Sequence, residues 1–107
     1  MSSSQPKQHM SDELNSAIKM LGDSWVLCIV CNLAEHNLRF SELERAIRGI
    51  NPVTLTRRLK ELEAEKLVKR EEETVDKLSV VYTLTEKGQA VVPVIKEINK
   101  FAERFFS

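Results

Sequence analysis

The chain has 107 residues, the length of one ordinary domain, and leaves no room for a second core. Hydrophobic residues make up 42% and charged residues 30%, a balance that fits a globular fold and speaks against a disordered or membrane-spanning chain. Sixteen basic side chains cancel sixteen acidic ones, so a polyanionic partner has to be met by a local patch, not by the field of the whole molecule.

Three glycines and three prolines are few breakers, which favours helices over a many-turned β-sandwich. Residues Met1 to Met10 are polar and aperiodic and are expected to form a disordered tail. They lack the basic-then-apolar run of a signal peptide, and the two cysteines cannot build a secreted disulfide framework, so the expected compartment is the reducing cytoplasm.

From Ser11 the pattern becomes helical. Ser11 can cap, Asp12 and Glu13 suit the positive end of a helix, and Leu14, Ala17, Ile18 and Leu21 make one apolar stripe that stops at Gly22. Ser24 precedes an apolar run from Trp25 to Ala34, which periodicity alone allows as a buried strand or a helix buried all round; its length favours the helix. Leu38 to Phe40 suits only a small edge strand. Ser41, with Glu44 three positions on, predicts a capping box and a short helix to about Ile47 or Arg48 that turns Leu43, Ala46 and Ile47 inward. After Gly49, Asn51 as cap and Pro52 at the first helical position predict a further helix to about Glu65, with Leu55, Leu59 and Leu62 buried. Leu67–Glu73 and Ser79–Leu84 read as two strands of a hairpin whose loop is Thr74 to Leu78. Thr85 caps a final helix in which Val91, Val94, Ile95, Ile98, Phe101, Ala102 and Phe105 recur at steps of three and four. Val92 and Phe106 widen that stripe beyond what one small core uses.

The expected fold is therefore mainly α with a small antiparallel β-hairpin wing, in the order helix, turn, helix, wing, and that order points to DNA binding. On a helical wheel Val53, Thr54, Arg57, Lys60 and Glu61 point away from the leucine stripe of the Pro52 helix, with Thr56 and Arg58 on its flanks. Arginine can grip guanine O6 and N7 together, and threonine can touch a thymine methyl or a phosphate. Arg45, Arg48, Arg57, Arg58 and Lys60 occur with no acid between Glu44 and Glu61, which makes the patch local. The alternative is a solvated helix face held by pairs such as Arg57 with Glu61.

Leu21-Gly-Asp-Ser-Trp25, Arg39-Phe-Ser-Glu-Leu43, Gly49-Ile-Asn-Pro52, Leu55-Thr-Arg-Arg-Leu-Lys-Glu-Leu-Glu63 and Tyr82-Thr-Leu-Thr-Glu-Lys-Gly88 resemble, in order and spacing, the HxlR-type winged-helix regulators of the broader MarR-like group. The resemblance spans nearly everything from Ser11 onward. It implies a homodimeric transcriptional regulator, with repression by promoter occlusion as its expected action on a pseudo-palindromic double-stranded DNA site. The first and last helices would pair through Leu14, Ile18, Val94, Ile98, Phe101 and Phe105. The DNA contacts it implies are Val53, Thr54, Thr56, Arg57 and Lys60, with Ser41 at a helix start that could face a phosphate; the basic patch adds Arg58, and Lys77 remains as a contact at the wing tip. Two departures stand out. Similar proteins carry an arginine in the wing near Ser79, whereas this wing sets Glu71, Glu72, Glu73 and Asp76 against Lys69, Arg70 and Lys77. Several relatives sense electrophiles or oxidants through a cysteine near the position of Asp12, and that cysteine is missing here.

Cys28 and Cys31 form a C-x-x-C pair without a second pair, and His9 and His36 are not placed to complete a zinc site, so both thiols are expected to fill a buried helix. A thiol switch is the competing reading. Trp25 is expected in the core. No catalytic set stands out, and no enzyme, metal or cofactor is expected; a small-molecule effector is left open. The rival from another class is a winged helix used for protein interaction without DNA binding, suggested by the neutral net charge and the acidic wing.

Overall fold

The computed structural model describes residues 9–72 and 80–107. Tail residues 1–8, the hairpin loop expected at 74–78 and its tip residue Lys77 lie outside the described residues. The chain runs α1 (Asp12–Leu21), α2 (Ser24–Glu35), β1 (Leu38–Arg39), α3 (Phe40–Ala46), α4 (Pro52–Ala64), β2 (Val68–Glu72), β3 (Val80–Leu84), α5 (Glu86–Gln89) and α6 (Val91–Phe106). Helices dominate and one small antiparallel sheet accompanies them, which is the expected winged helix-turn-helix.

Short-range chemistry sets most boundaries. The Ser11 hydroxyl accepts the Leu14 N–H at 3.0 Å and starts α1. Asp23, not Ser24, caps α2, its carboxylate accepting the Val26 N–H at 3.1 Å. The two helices meet at 77°. α4 ends in a Schellman motif: the Leu67 N–H reaches the Leu62 carbonyl at 2.9 Å and the Lys66 N–H reaches that of Glu63 at 3.0 Å. Lys66 there takes a left-handed φ of 64°, a position usually given to glycine.

The sheet has the order β1-β3-β2. β3 pairs along its whole length with β2, from Val68 opposite Leu84 to Glu72 opposite Val80, and β1 adds Leu38 opposite Tyr82 and Arg39 opposite Val81. The expected edge strand thus completes the hairpin as a third strand. Below it, Ile29, Val30 and Leu33 of α2, Leu43 and Ile47 from the α3 region, Leu55, Leu59 and Leu62 of α4, and Leu67 and Val68 form one core. Each such side chain contributes about 1.5–3 kcal/mol on burial. Trp25 packs against this core, as expected.

Four expectations need correction. α3 begins at Phe40, so Ser41 lies inside its first turn; the cap is Arg39, whose N–H is accepted by Glu42 Oε1 at 2.8 Å. The extended pairing of Arg39 with β3 brings the helix start forward by this amount. Ala46 is exposed instead of inward. The final helix is two: Pro93 has no N–H for the Gln89 carbonyl and its ring crowds that carbonyl, so the ladder breaks at Ala90 between α5 and α6. Cys28 and Cys31 are exposed, because α2 is covered on one side only, where Val26, Ile29, Val30 and Leu33 fall.

Two glycines are required by the backbone. Gly49 turns the chain between α3 and α4 with a φ of 86°. At Gly88 a Cβ would collide with the Leu67 carbonyl oxygen, so this residue lets α5 approach the end of α4. Thr85 Oγ1 donates to the Lys66 carbonyl at 2.6 Å and Lys87 Nζ to the Glu65 carbonyl at 2.7 Å across the same junction.

Candidate nucleic-acid interface

The outward face of α4 is set by how its first turn closes. Asn51 Oδ1 accepts the Thr54 N–H at 2.8 Å, and Pro52 presents no N–H that would need a partner. With Leu55, Leu59 and Leu62 enclosed, Val53, Thr56, Arg57 and Lys60 turn to solvent, and Thr54 is half-buried beside them. Val53 is 67% exposed although apolar. Pro52, Val53, Thr56, Arg57 and Lys60 line a shallow hollow of about 440 Å³.

The charged residues that line this hollow, Arg57 and Lys60, are both cations. Arg45 on α3, Arg48 in the turn, Arg57 and Lys60 are all exposed, and none of the four enters an ion pair among the described residues. The surface therefore offers cations, a hydroxyl and an apolar patch side by side, which are the groups that read phosphate oxygens, base edges and thymine methyls.

Arg58 departs from the expected flank. It turns back toward the α1–α2 elbow, where its Nε donates to Asp23 Oδ2 at 2.9 Å and its Nη2 lies 2.9 Å from the same oxygen. Nη1 stands 3.6 Å from Glu61 Oε1. The sequence shows both residues but not that 35 positions apart they meet.

The wing contributes one residue that sequence patterning treated only as part of a charge count. Arg70 lies opposite Tyr82 in the register, with its guanidinium 6.0 Å from the ring centroid. It shares a cleft of about 350 Å³ with Thr56, Lys60 and Glu63 of α4, so it adds a second cation beside Lys60 in a lining that also holds one carboxylate. Hairpin register together with the tyrosine is the signal that points to it. Lys69 instead faces Glu71 at 3.4 Å. Ser41 is exposed in the first turn of α3.

A second exposed surface has the opposite chemistry. Leu14 and Ile18 on α1 and Val94, Ile98, Phe101 and Phe105 on α6 are each between 44% and 59% exposed, and Phe106 is 79% exposed. The Phe101 and Phe105 rings meet at a tilt of 44° with centroids 5.1 Å apart, and Phe106 meets Phe101 edge-on at 5.9 Å.

The two thiols lie elsewhere again. Cys31 borders a groove of about 380 Å³ with Ala34, Glu35, Val92, Ile95 and Lys96. Burial pushes its thiol above the ordinary value, and Cys28 and Glu35 add to the rise. Among the described residues no three His, Cys, Asp or Glu side chains gather to hold a metal, and no single helix is long and apolar enough to cross a membrane.

Comparison with known proteins agrees with this geometry. The family described as HxlR-like helix-turn-helix matches residues 20–107. The HTH-type transcriptional regulator YvaP of Bacillus subtilis is 38% identical over 96 residues, 90% of this chain and 89% of that protein. YodB, an HTH-type transcriptional regulator of the same organism, is 36% identical over 96 residues, 90% of this chain and 86% of that protein. The structure of its reduced form superposes with a TM-score of 0.82 at 35% identity, covering 92% of this chain and 96% of that one. A MarR-family regulator from Porphyromonas gingivalis W83 superposes with a TM-score of 0.80 at 28% identity, covering 95% of this chain and 97% of that one. The relatives are regulators and not enzymes, and this chain belongs to the HxlR-like helix-turn-helix family of transcriptional regulators.

Proposed function

We propose that the protein acts as a homodimer that binds a pseudo-palindromic operator, each protomer laying α4 in a major groove about 34 Å from its mate, and that it represses by occluding a promoter. The observation that carries this reading is the outer face of α4, where Val53, Thr56, Arg57 and Lys60 stand exposed above a fully enclosed leucine stripe and the two cations have no ion-pair partner among the described residues. Arg57 reads a base edge, and Lys60, with Arg45 and Arg48, meets phosphates. Arg70 adds a contact beside α4, which offsets the acidic Glu71 and Glu72 of the wing.

The exposed apolar line on α1 and α6 supports the pairing of two copies. Large contiguous apolar surface is rare on monomers and marks association sites. Pairing also supplies the two-fold symmetry that a palindromic site needs.

Selection of bound sites from random duplex DNA, followed by titration of the selected site at about 50 and 200 mM salt, tests the proposal. A palindromic consensus and a steep loss of affinity with salt are expected. Failure to select any sequence, with no salt-dependent binding, would leave the fold as a protein-interaction module.

A further inference from the structure

We infer that Asp23 is a positioning residue for the DNA-reading surface: its carboxylate, set in the α1–α2 elbow, holds Arg58 and thereby fixes the roll of α4 about its own axis. The inference deepens the DNA-binding proposal and rests on it. It reassigns Arg58 from nucleic-acid contact to support.

The geometry divides the carboxylate between two tasks. Oδ1 accepts the Val26 N–H at 3.1 Å, which ties it to the first turn of α2. Oδ2 receives both Nε and Nη2 of Arg58 at 2.9 Å. A guanidinium held through two of its nitrogens resists rotation, whereas a single ammonium contact would not. The side chains are only 28% and 20% exposed, so water competes with the pair less than at an open surface.

The leucine stripe cannot do this work alone. Burial of Leu55, Leu59 and Leu62 fixes how far α4 sits from the core and opposes a large roll, but apolar contact is non-directional and sets the final angle less sharply than a two-nitrogen ion pair does. A roll of about 20° sweeps a side-chain tip about 6 Å from the axis through about 2 Å. That displacement exceeds the tolerance of a hydrogen bond to a base edge. Arg57, next to Arg58 in sequence but on the open face, would lose its alignment first. Because partly exposed ion pairs contribute little to stability, the expected effect of Asp23 lies in recognition and not in folding.

The test uses Asp23→Asn, Arg58→Gln and the double variant. Asparagine caps helices as well as aspartate does, so Asp23→Asn retains the start of α2 while removing the charge. Each single variant should weaken binding to the selected site by roughly tenfold, comparable to one mismatched base pair. Affinity for scrambled duplex and the salt slope should stay the same, and the double variant should be no worse than either single one. Arg58→Lys should recover only part of the loss. The inference is overturned if Asp23→Asn tightens binding and steepens the salt slope, because a freed Arg58 would then be touching phosphate. Additive losses, or no loss, overturn it equally.

Backbone residual dipolar couplings, which report the orientation and roll of a helix, supply a readout that does not depend on DNA. Asp23→Asn should change the couplings of α4 relative to α2 and leave those of α6 unchanged, while uniform or absent change removes the joint. If the wild-type chain selects no DNA, the DNA-binding proposal fails, and the couplings still decide whether Asp23 holds α4. Should Asp23→Asn fail to fold, Arg58→Gln carries both measurements.

Discussion

α4 and α6 are both amphipathic helices, yet they finish their business with the core differently. α4 buries its whole apolar stripe, Leu55, Leu59 and Leu62, and leaves cations and hydroxyls outside. α6 buries Val91 and tucks Val92 and Ile95 against the core, while Val94, Ile98, Phe101 and Phe105 stay exposed. One face is complete within a single chain and is suited to a charged, hydrated partner. The other is an unfinished core, an apolar surface of the kind that the proposed second copy would cover. The same periodicity in sequence thus carries two meanings, separated only by how much of each stripe the fold can cover.

The largest break in that comparison should come from Phe101→Glu. A carboxylate placed in the apolar line should remove about 2–4 kcal/mol of association energy per contact, giving monomers by sedimentation equilibrium and loss of selected-site binding. A dimer that persists would move the association surface elsewhere. Next comes Arg57→Ala, expected to lower affinity for the selected site by about 1–3 kcal/mol and to relax base preference at one position of each half-site, with dimerisation unchanged. Uniform weakening on all duplexes would instead make Arg57 a phosphate contact.

Smaller still is Asn51→Ala, which removes the acceptor of the Thr54 N–H and should reduce stability by about 1 kcal/mol, read as a lowered melting temperature. The smallest effect concerns Cys31, on the side of α6 that carries Val92 and Lys96, away from the Val94–Phe105 line. Its raised pKa leaves less thiolate at neutral pH, so alkylation should be slower than for a free cysteine and should accelerate as pH rises through that raised value. The rate should be the same in wild type and Phe101→Glu. Protection confined to the dimer would place Cys31 in the association surface.

Local rules made much of this legible. Asn51 and Pro52 announce the start of α4, spacing announces its leucines, and Leu67–Leu84 announces a hairpin whose paired part is Val68–Glu72 with Val80–Leu84. The apolar excess of the last helix also showed in the spacing of its valines and phenylalanines. Errors arose where a local signal competed with a distant one. Ser41 satisfies a capping pattern, but pairing of Arg39 with Val81 moved the helix start. Pro93 was visible, yet the apolar repeat around it spoke for one continuous helix where the ladder breaks at Ala90.

What residue order alone determined is therefore most of the elements, their polarity and the helix proposed to read DNA, because capping, periodicity and turn chemistry act over three or four positions. Tertiary structure decided which of two equivalent-looking side chains does what. Arg57 and Arg58 are neighbours with the same chemistry, and the arrival of Asp23 from the α1–α2 elbow pairs Arg58 while Arg57 stays exposed. It likewise decided that Cys28 and Cys31 face solvent, since exposure depends on which neighbours cover a helix, and spacing along the helix carries no record of them.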